Sequence, residues 1–463
     1  MAGEFLSAIL NKTALKSIRA RGARLDRYKL TGRARIRETL LADPAIANAV
    51  ARHSKEHDQS VAATWTRVNR YINEIVPFFN ILAYYRFGYF ASRALLNLFY
   101  KVAAEQSGGP GASSLPKDAT VVYLMNHRSN ADYVLVGYVL TGRVAISYAV
   151  GEWARAFPLE HIFKSFGSYF IRRRYREPLY HKVLEQYVQL ITRNGVTQGI
   201  FPEGGLTRDG KLRTAKIGLL DYIIGIARDP AYRNRIYLVP VAVNYDRVLE
   251  DRSLLRELRV TQGKRTAPRR QQLLDVTRYL WWNAGRLLTR RFRRYGYAAV
   301  TIGDPVPLAP WFDKQEASGE GLFEIPRHER LARVQDLCDE MMARIGAIIP
   351  VTPVPLACAA IQSLDSDFIS REQLIARMAE LRDVLGELNA STIRSDGPID
   401  EVFSRACKLL QMRKMLIETN DGFAVSPRNR GLISYYANSI AHLLGPFEAG
   451  IRNRDTLPAL KGW

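Results

Sequence analysis

The feature that most constrains the fold is an alternation running from residue 119 to about residue 305. Short apolar runs with strand character recur at 120–125, 145–150, 168–171, 198–201, 236–243 and 298–302. Segments of helical period lie between them, as at 179–193 and 216–227. Strands alternating with helices predict an α/β domain with a mixed, largely parallel sheet flanked by helices. The first run, Ala119 to Met125, is apolar nearly throughout, as suits a strand buried on both faces. Tyr133 to Leu140 is apolar enough for a buried helix, so the residues between them form a strand-to-helix turn held by a rigid scaffold, a favoured place for chemistry.

That turn reads Asn126-His127-Arg128-Ser129-Asn130-Ala131-Asp132. A turn can fold the Asp132 carboxylate onto one ring nitrogen of His127, fixing the tautomer and stabilising the imidazolium while the other nitrogen takes a proton. A near-neutral histidine is a suitable general base at cellular pH. The plainer alternative is that Asp132 caps the helix and His127 is a loop residue.

Length and charge frame the rest. A chain of 463 residues has room for two to four domains, and its net charge of +22 calls for an anionic partner: nucleic acid, an anionic bilayer or a phosphorylated substrate. A solvated basic surface is the bland alternative. Cys338, Cys358 and Cys407 are far apart and odd in number, which fits reduced, apolar cysteines and neither a disulfide framework nor a metal site. Residues 1–11 lack the basic region and long apolar core of a signal peptide, and no run of about 20 apolar residues predicts a membrane span.

A Gly/Ser/Pro-rich stretch at 105–118 is the best boundary. It separates a helical, arginine-rich and aromatic region (1–110) from the α/β domain (111–350), and a mostly helical region (351–463) follows, with helices expected at 372–388 and 399–419. The run from Ile75 to Lys101 is dense in Phe and Tyr and broken by Arg86 and Arg93. It suits the headgroup level of a bilayer, or equally two tyrosine-rich core helices. Between Leu273 and Arg294, apolar and tryptophan positions at helical spacing are accompanied by arginines, a basic amphipathic helix for a membrane or nucleic-acid surface; an exposed helix with its tryptophans packed inward is the rival.

Three further stretches join the His/Asp turn. Gly167-Ser168-Tyr169-Phe170-Ile171-Arg172-Arg173-Arg174 ends a short strand in three arginines, which can grip phosphate in a bidentate way. Phe201-Pro202-Glu203-Gly204-Gly205-Leu206-Thr207-Arg208-Asp209-Gly210-Lys211 offers glycines for close backbone approach and two cations for an anion. Tyr237 to Asp246 is an apolar strand containing Pro240, a wall of the site or of an acyl channel. The glycine-rich stretch is not a nucleotide-binding P-loop, because Leu212 stands where Ser or Thr must hold magnesium; HExxH and GxSxG patterns do not occur.

In this order and at these separations the four stretches resemble the four motifs of the glycerolipid acyltransferases, and within that family the membrane-bound glycerol-3-phosphate acyltransferases of bacteria and mitochondria. Phe170-Ile171-Arg172-Arg173, Glu203-Gly204-Gly205 with Arg208 and Gly210, and Tyr435-Tyr436-Ala437-Asn438-Ser439-Ile440 in a helical C-terminal region carry the likeness. Leu206 and Thr207 stand where many members have Arg-Ser.

The resemblance implies the glycerolipid acyltransferase fold with helical N- and C-terminal regions. It implies His127 as general base and Asp132 as the carboxylate orienting it. Arg172, Glu203, Gly204, Arg208 and Lys211 would bind glycerol 3-phosphate, with Arg173, Arg174 and Pro240 as further candidates. The expected reaction moves a fatty acyl group from acyl-CoA or acyl-carrier protein to the sn-1 hydroxyl of glycerol 3-phosphate, giving lysophosphatidic acid, with no cofactor and no metal. The expected place is the cytoplasmic face of the inner membrane, peripheral or monotopic on an anionic surface, with no nucleic acid. Lysophosphatidic acid or dihydroxyacetone phosphate as acceptor is the alternative among enzymes. A non-catalytic basic protein binding membrane or nucleic acid is the alternative from another class.

Overall fold

Strand β2 (Thr120–Met125) lies inside the main sheet, and all six of its residues are buried. It pairs in parallel with β6 (Ile236–Tyr245) on one side and with β5 (Gln198–Ile200) on the other. The sheet continues from β5 to β3 (Ser147–Val150) and β4 (Tyr169–Phe170), every step parallel. Beyond β6 the direction reverses: β7 (Tyr297–Ile302) pairs antiparallel with β6, and β1 (Lys101–Gln106) pairs in parallel with β7. Together with the short β8 (Val306–Pro307), which pairs antiparallel with β6, the described residues form an eight-stranded sheet in the order β1-β7-β6-β2-β5-β3-β4. The mixed, mainly parallel sheet expected from the sequence is present, and each of the six strand segments proposed there contains a strand.

The structure is a computed structural model that describes residues 32–79, 88–107, 114–140, 146–151, 159–172, 175–261, 294–317, 319 and 321–445. The arginine-rich arm up to residue 31, the middle of the aromatic run, residues 108–113 of the Gly/Ser/Pro-rich boundary, Arg173, Arg174 and all but Arg294 of the basic helix expected between Leu273 and Arg294 lie outside these residues.

Helices α1 (Arg33–Leu41), α2 (Pro44–Glu56) and α3 (Val61–Ile75) pack against α7 (Pro178–Arg193). The start of α2 is written locally: Asp43 caps it by accepting from the Ala45 and Ile46 amides at 2.8 and 3.3 Å, with Pro44 in the first turn. Helix α7 buries Leu179, Val183, Leu184, Tyr187, Val188 and Ile191, the stripe that a helix lying on a core must present. Helix α4 (Tyr89–Phe99) packs against α5 (Asp132–Leu140), and α6 (Leu159–Ser165) leads into β4.

Two expectations need correction. Residues 101–106, counted by composition in the helical N-terminal region, form strand β1 and belong to the main sheet. The helix expected over 399–419 ends at Met412 as α14 (Ile399–Met412), and Leu416–Thr419 is strand β10. There the Met415 amide bonds to Leu410 O and the Lys414 amide to Gln411 O, both at 2.8 Å, and Lys414 takes φ +57°. This is a Schellman C-cap with lysine where glycine is usual, so the stop signal is missing from the residue types.

The C-terminal region packs α12 (Pro353–Leu364) against α13 (Arg371–Glu387), α14 and α15 (Arg430–Ala437), with a small sheet in the order β10-β11-β9 of β9 (Phe368–Ile369), β10 and β11 (Gly422–Val425). It is riveted to the α/β domain by buried polar groups. Asp246 accepts from the Val354 amide in the first turn of α12 at 3.0 Å and from the Tyr297 amide at 2.8 Å. Asp251, at the start of α9 (Asp251–Thr261), pairs with Arg413 at 2.6 Å and accepts from the Tyr436 hydroxyl. Among the described residues no helix is long and apolar enough to cross a membrane.

Candidate active site

In a parallel sheet all the carboxyl ends of the strands lie along one edge, and ligands bind in that crevice where the chain switches sides. Here the switch is at β2: the chain builds β3, β4 and β5 on one side of it, then crosses to β6 on the other. His127 stands two residues beyond β2, Glu203 three beyond β5, Arg172 two beyond β4, and Tyr245 is the last residue of β6. The motif residues therefore share one edge because the strands that precede them run the same way.

The His/Asp turn is fixed at its entrance by Asn126, whose side-chain amide donates to Val243 O at 2.9 Å and accepts from the Val243 amide at 2.7 Å. Asp132 begins α5 and is fully buried. Its Oδ2 accepts from the Arg128 and Ser129 amides at 2.7 and 3.0 Å and faces His127 Nδ1 at 3.0 Å; its Oδ1 accepts from the Tyr245 hydroxyl at 2.6 Å. Such donors hold a buried carboxylate in one orientation. The imidazole is 1% exposed and stacks on Phe201 with ring centroids 4.1 Å apart. Glu250 completes the turn, accepting from the Ser129 hydroxyl at 2.7 Å and the Asn130 amide at 3.2 Å.

Glu203 acts on the backbone. One carboxylate oxygen accepts from the His127 amide at 2.9 Å and the other from the Arg213 amide at 3.2 Å. Burial pushes its carboxyl up to about 7, against the pull of these two amides and of the Arg128 charge. The next residue, Gly204, has φ +65°, a conformation that suits glycine and lets the chain double back after Glu203. Further on, the Thr207 amide donates to His127 O at 3.1 Å, tying this loop to the turn a second time. Gly210 (φ +89°) lies so close to the C-terminal region that a Cβ would stand 1.9 Å from Tyr435 O.

The cations divide by how firmly they are held. Arg208 pairs with Glu257 at 3.3 Å with both side chains near half exposure, a contact worth at most about 1 kcal/mol that an incoming phosphate can replace. Lys211 holds the loop through its backbone, its amide donating to Asp209 at 3.1 Å and its carbonyl accepting from Thr207 at 2.7 Å. Arg172 is different. Its guanidinium forms a fork on Glu74 of α3 at 2.7 and 2.6 Å, and Tyr71, Tyr175 and Tyr180 surround it with ring centroids 4.7 to 5.7 Å away. Three strand spacings, about 14 Å, separate β4 from β2. Arg172 thus shares the edge with His127 while its fork is directed to a carboxylate of the protein.

Pro240 is buried inside β6, where its missing amide does little harm. Its carbonyl accepts from the Gly303 amide at 2.8 Å, so the absent donor falls at the gap between β7 and β8, a break in the ladder that suits proline. Pro350 and Ser439, outside the four stretches, hold motif residues in place. The buried Arg128 donates to Ser439 O at 3.2 Å, and Asn244 donates to Pro350 O at 3.0 Å and to the Ser439 hydroxyl at 3.3 Å. Glu250, Arg213 and Ser439 are not singled out by the sequence as site residues, and Tyr245 is noticed only as part of a strand.

A buried His–Asp pair on this edge of a parallel sheet fits the acyltransferase class, and the comparisons agree. An acyltransferase family model matches residues 110–244, and the model of the glycerol-3-phosphate acyltransferase C-terminal region matches residues 281–446. The glycerol-3-phosphate acyltransferase of Aeromonas hydrophila is 26% identical over 90% of this chain and 50% of its own length. That of Actinobacillus succinogenes is 29% identical over 70% of this chain and 39% of its own, and that of Alteromonas mediterranea 25% over 90% and 51%. The chain thus carries an acyltransferase domain followed by a region similar to the C-terminal region of glycerol-3-phosphate acyltransferases. It spans about half the length, or less, of these curated relatives. Among solved structures, the 1-acyl-sn-glycerophosphate acyltransferase PlsC of Thermotoga maritima aligns with 56% of this chain and 78% of its own at 18% identity, with a TM-score of 0.31.

Proposed function

We propose that the chain transfers a fatty acyl group from a thioester, acyl-CoA or acyl-carrier protein, to the sn-1 hydroxyl of glycerol 3-phosphate. The observation that carries this reading is the buried His127–Asp132 pair, 3.0 Å apart, with three other donors fixing the carboxylate. Asp132 occupies Nδ1, which makes Nε2 the atom to take a proton. His127 removes the hydroxyl proton as the oxygen attacks the thioester carbon. The tetrahedral intermediate collapses with cleavage of the C–S bond, and the imidazolium returns the proton to the departing thiolate. Burial keeps water, the competing nucleophile, from the imidazole; an acceptor reaches the ring only when neighbouring side chains move.

Arg208 and Lys211 are the proposed first contacts of the acceptor phosphate, because Arg208 is only weakly engaged and both belong to the loop tied to His127. Arg172 joins them once Glu74 releases it. A fatty product belongs in a bilayer, and the exposed Phe90 and Leu95 of α4, with the basic surface, support docking on an anionic membrane face.

The test is a purified assay with glycerol 3-phosphate and each thioester, lysophosphatidic acid being the measured product. His127→Ala is expected to lose about 10²–10⁴ in kcat with the fold retained. Absence of transfer from both donors, or full turnover by His127→Ala, would overturn the proposal. A panel including dihydroxyacetone phosphate and lysophosphatidic acid fixes the acceptor.

A further inference from the structure

We propose that Tyr245 is a positioning residue of the His127–Asp132 pair: its hydroxyl, donated to Asp132 Oδ1 at 2.6 Å, reserves Oδ2 for the imidazole and tempers the charge that the imidazole meets. The inference rests on the catalytic reading of that pair and adds a third side chain to it.

The geometry is specific. Tyr245 ends β6, the strand beside β2, so the sheet itself brings the hydroxyl to the turn across 113 residues of sequence. Asp132 has two oxygens with different duties. Oδ2 accepts from two backbone amides and faces Nδ1, whereas Oδ1 has the Tyr245 hydroxyl. Without that donor, Oδ1 is a buried anionic atom seeking a partner, and a rotation of the carboxyl would exchange the two oxygens. The ring cannot swing away, since Tyr245 is fully buried and packs on Tyr100 with centroids 5.4 Å apart.

Tyr245 also remains a donor. Burial, then the nearby Asp132 and Tyr100, hold its hydroxyl well above the usual tyrosine range, so it stays protonated at any working pH. Among the described residues, the charged and titratable groups around the pair include Tyr100 and Glu250, which face Tyr245; Arg128, whose amide bonds Asp132; Glu203, which holds the His127 amide; Tyr133, whose ring meets the imidazole edge-on with centroids 5.5 Å apart; and Tyr435, which feels both Asp132 and Glu250. The only change in Tyr245→Phe is loss of one hydroxyl. The remaining carboxylate charge then acts more fully on the imidazole, which favours the imidazolium.

The test is the titration of the His127 ring followed by NMR in the full chain, beside the acidic limb of the pH–rate profile. Tyr245→Phe is expected to move both upward by about one pH unit. Replacing Tyr245 site-specifically with 3-fluorotyrosine, a stronger donor that keeps the shape, is expected to move both down. A fall in rate with neither the titration nor the limb displaced would assign Tyr245 a merely structural role and overturn the proposal, as would no change in any measure. The titration needs no substrate. If wild-type protein transfers no acyl group to glycerol 3-phosphate, the functional reading fails, while the titration still decides on Tyr245.

Discussion

Glu203 is caught between two demands. Burial favours its neutral form, and the amides of His127 and Arg213, each needing an acceptor, favour the charged one. Glu203→Gln therefore should not be silent: the amide can accept from one backbone donor and must turn its NH2 toward the other. An unsatisfied buried pair costs about 1–3 kcal/mol, so the variant is expected to unfold at lower temperature and to lose activity through displacement of His127. Calorimetry and kcat check this; unchanged values for both would return Glu203 to the substrate-contact role implied by the family resemblance. At this scale the sequence was legible where partners are close along the chain. His127 and Asp132 are five residues apart, and a local turn is enough to pair them. Tyr245 and Glu250 reach the same turn from 113 and 121 residues away, and only the strand order brings them there. Arg172 shows the opposite limit: its residue type fits phosphate, but Glu74, 98 residues earlier, fills its fork. Arg172→Ala is expected mainly to raise KM for glycerol 3-phosphate, and an unchanged value would remove it from the phosphate grip.

Elements were legible in proportion to their burial. The strands of the parallel sheet are short apolar runs, so composition alone nearly bounds them, and α13 announces itself by the Ser370/Gln373 capping box. Strand β1 hides because it is an edge strand with four of its six residues exposed, and it reads as the tail of the preceding aromatic segment. The β10–β11 hairpin was missed although Asn420-Asp421-Gly422 is a turn signal, because the helical period of α14 was carried past its true end. That end can be tested. Lys414 in the left-handed region bears a strain of about 1–2 kcal/mol that glycine would not, so Lys414→Gly should stabilise the fold by about 1 kcal/mol or slightly less, after glycine's entropic cost. Destabilisation measured by urea unfolding would show that the lysine side chain contributes more than its backbone costs. By contrast Arg413→Ala leaves Asp251 buried without its cation and should cost about 3–5 kcal/mol.

For the molecule as a whole, two buried carboxyls set a pH dependence. Burial raises Glu203 from 4.5 to about 7 and Asp246 from 3.8 to about 6. Each keeps a proton in the folded protein at pH values where the unfolded chain has lost it. Their contribution to stability is complete below the unfolded values and is lost as pH rises through the folded ones, on the order of 3 kcal/mol for each. The unfolding temperature is therefore expected to fall between about pH 4 and 7 and then level off; a rise across that window would contradict the assignment. The proposed docking face can be tested separately. Phe90 and Leu95 are 62% and 50% exposed, and replacing both by serine should weaken binding to anionic vesicles by about tenfold or more if each buries its side chain in lipid. Equal binding would place the membrane contact elsewhere.

The pairing of β1 with β7 also bears on how the chain is made. Lys101 waits for Tyr297, 196 positions later, before its backbone finds a partner. At a ribosomal pace of 5–20 residues per second, that interval is about 10–40 s. For that time the nascent protein holds a row of open amides and carbonyls beside an unfinished core. Its yield in a cell should therefore depend on how long synthesis pauses between those two points, and on what shields the edge meanwhile.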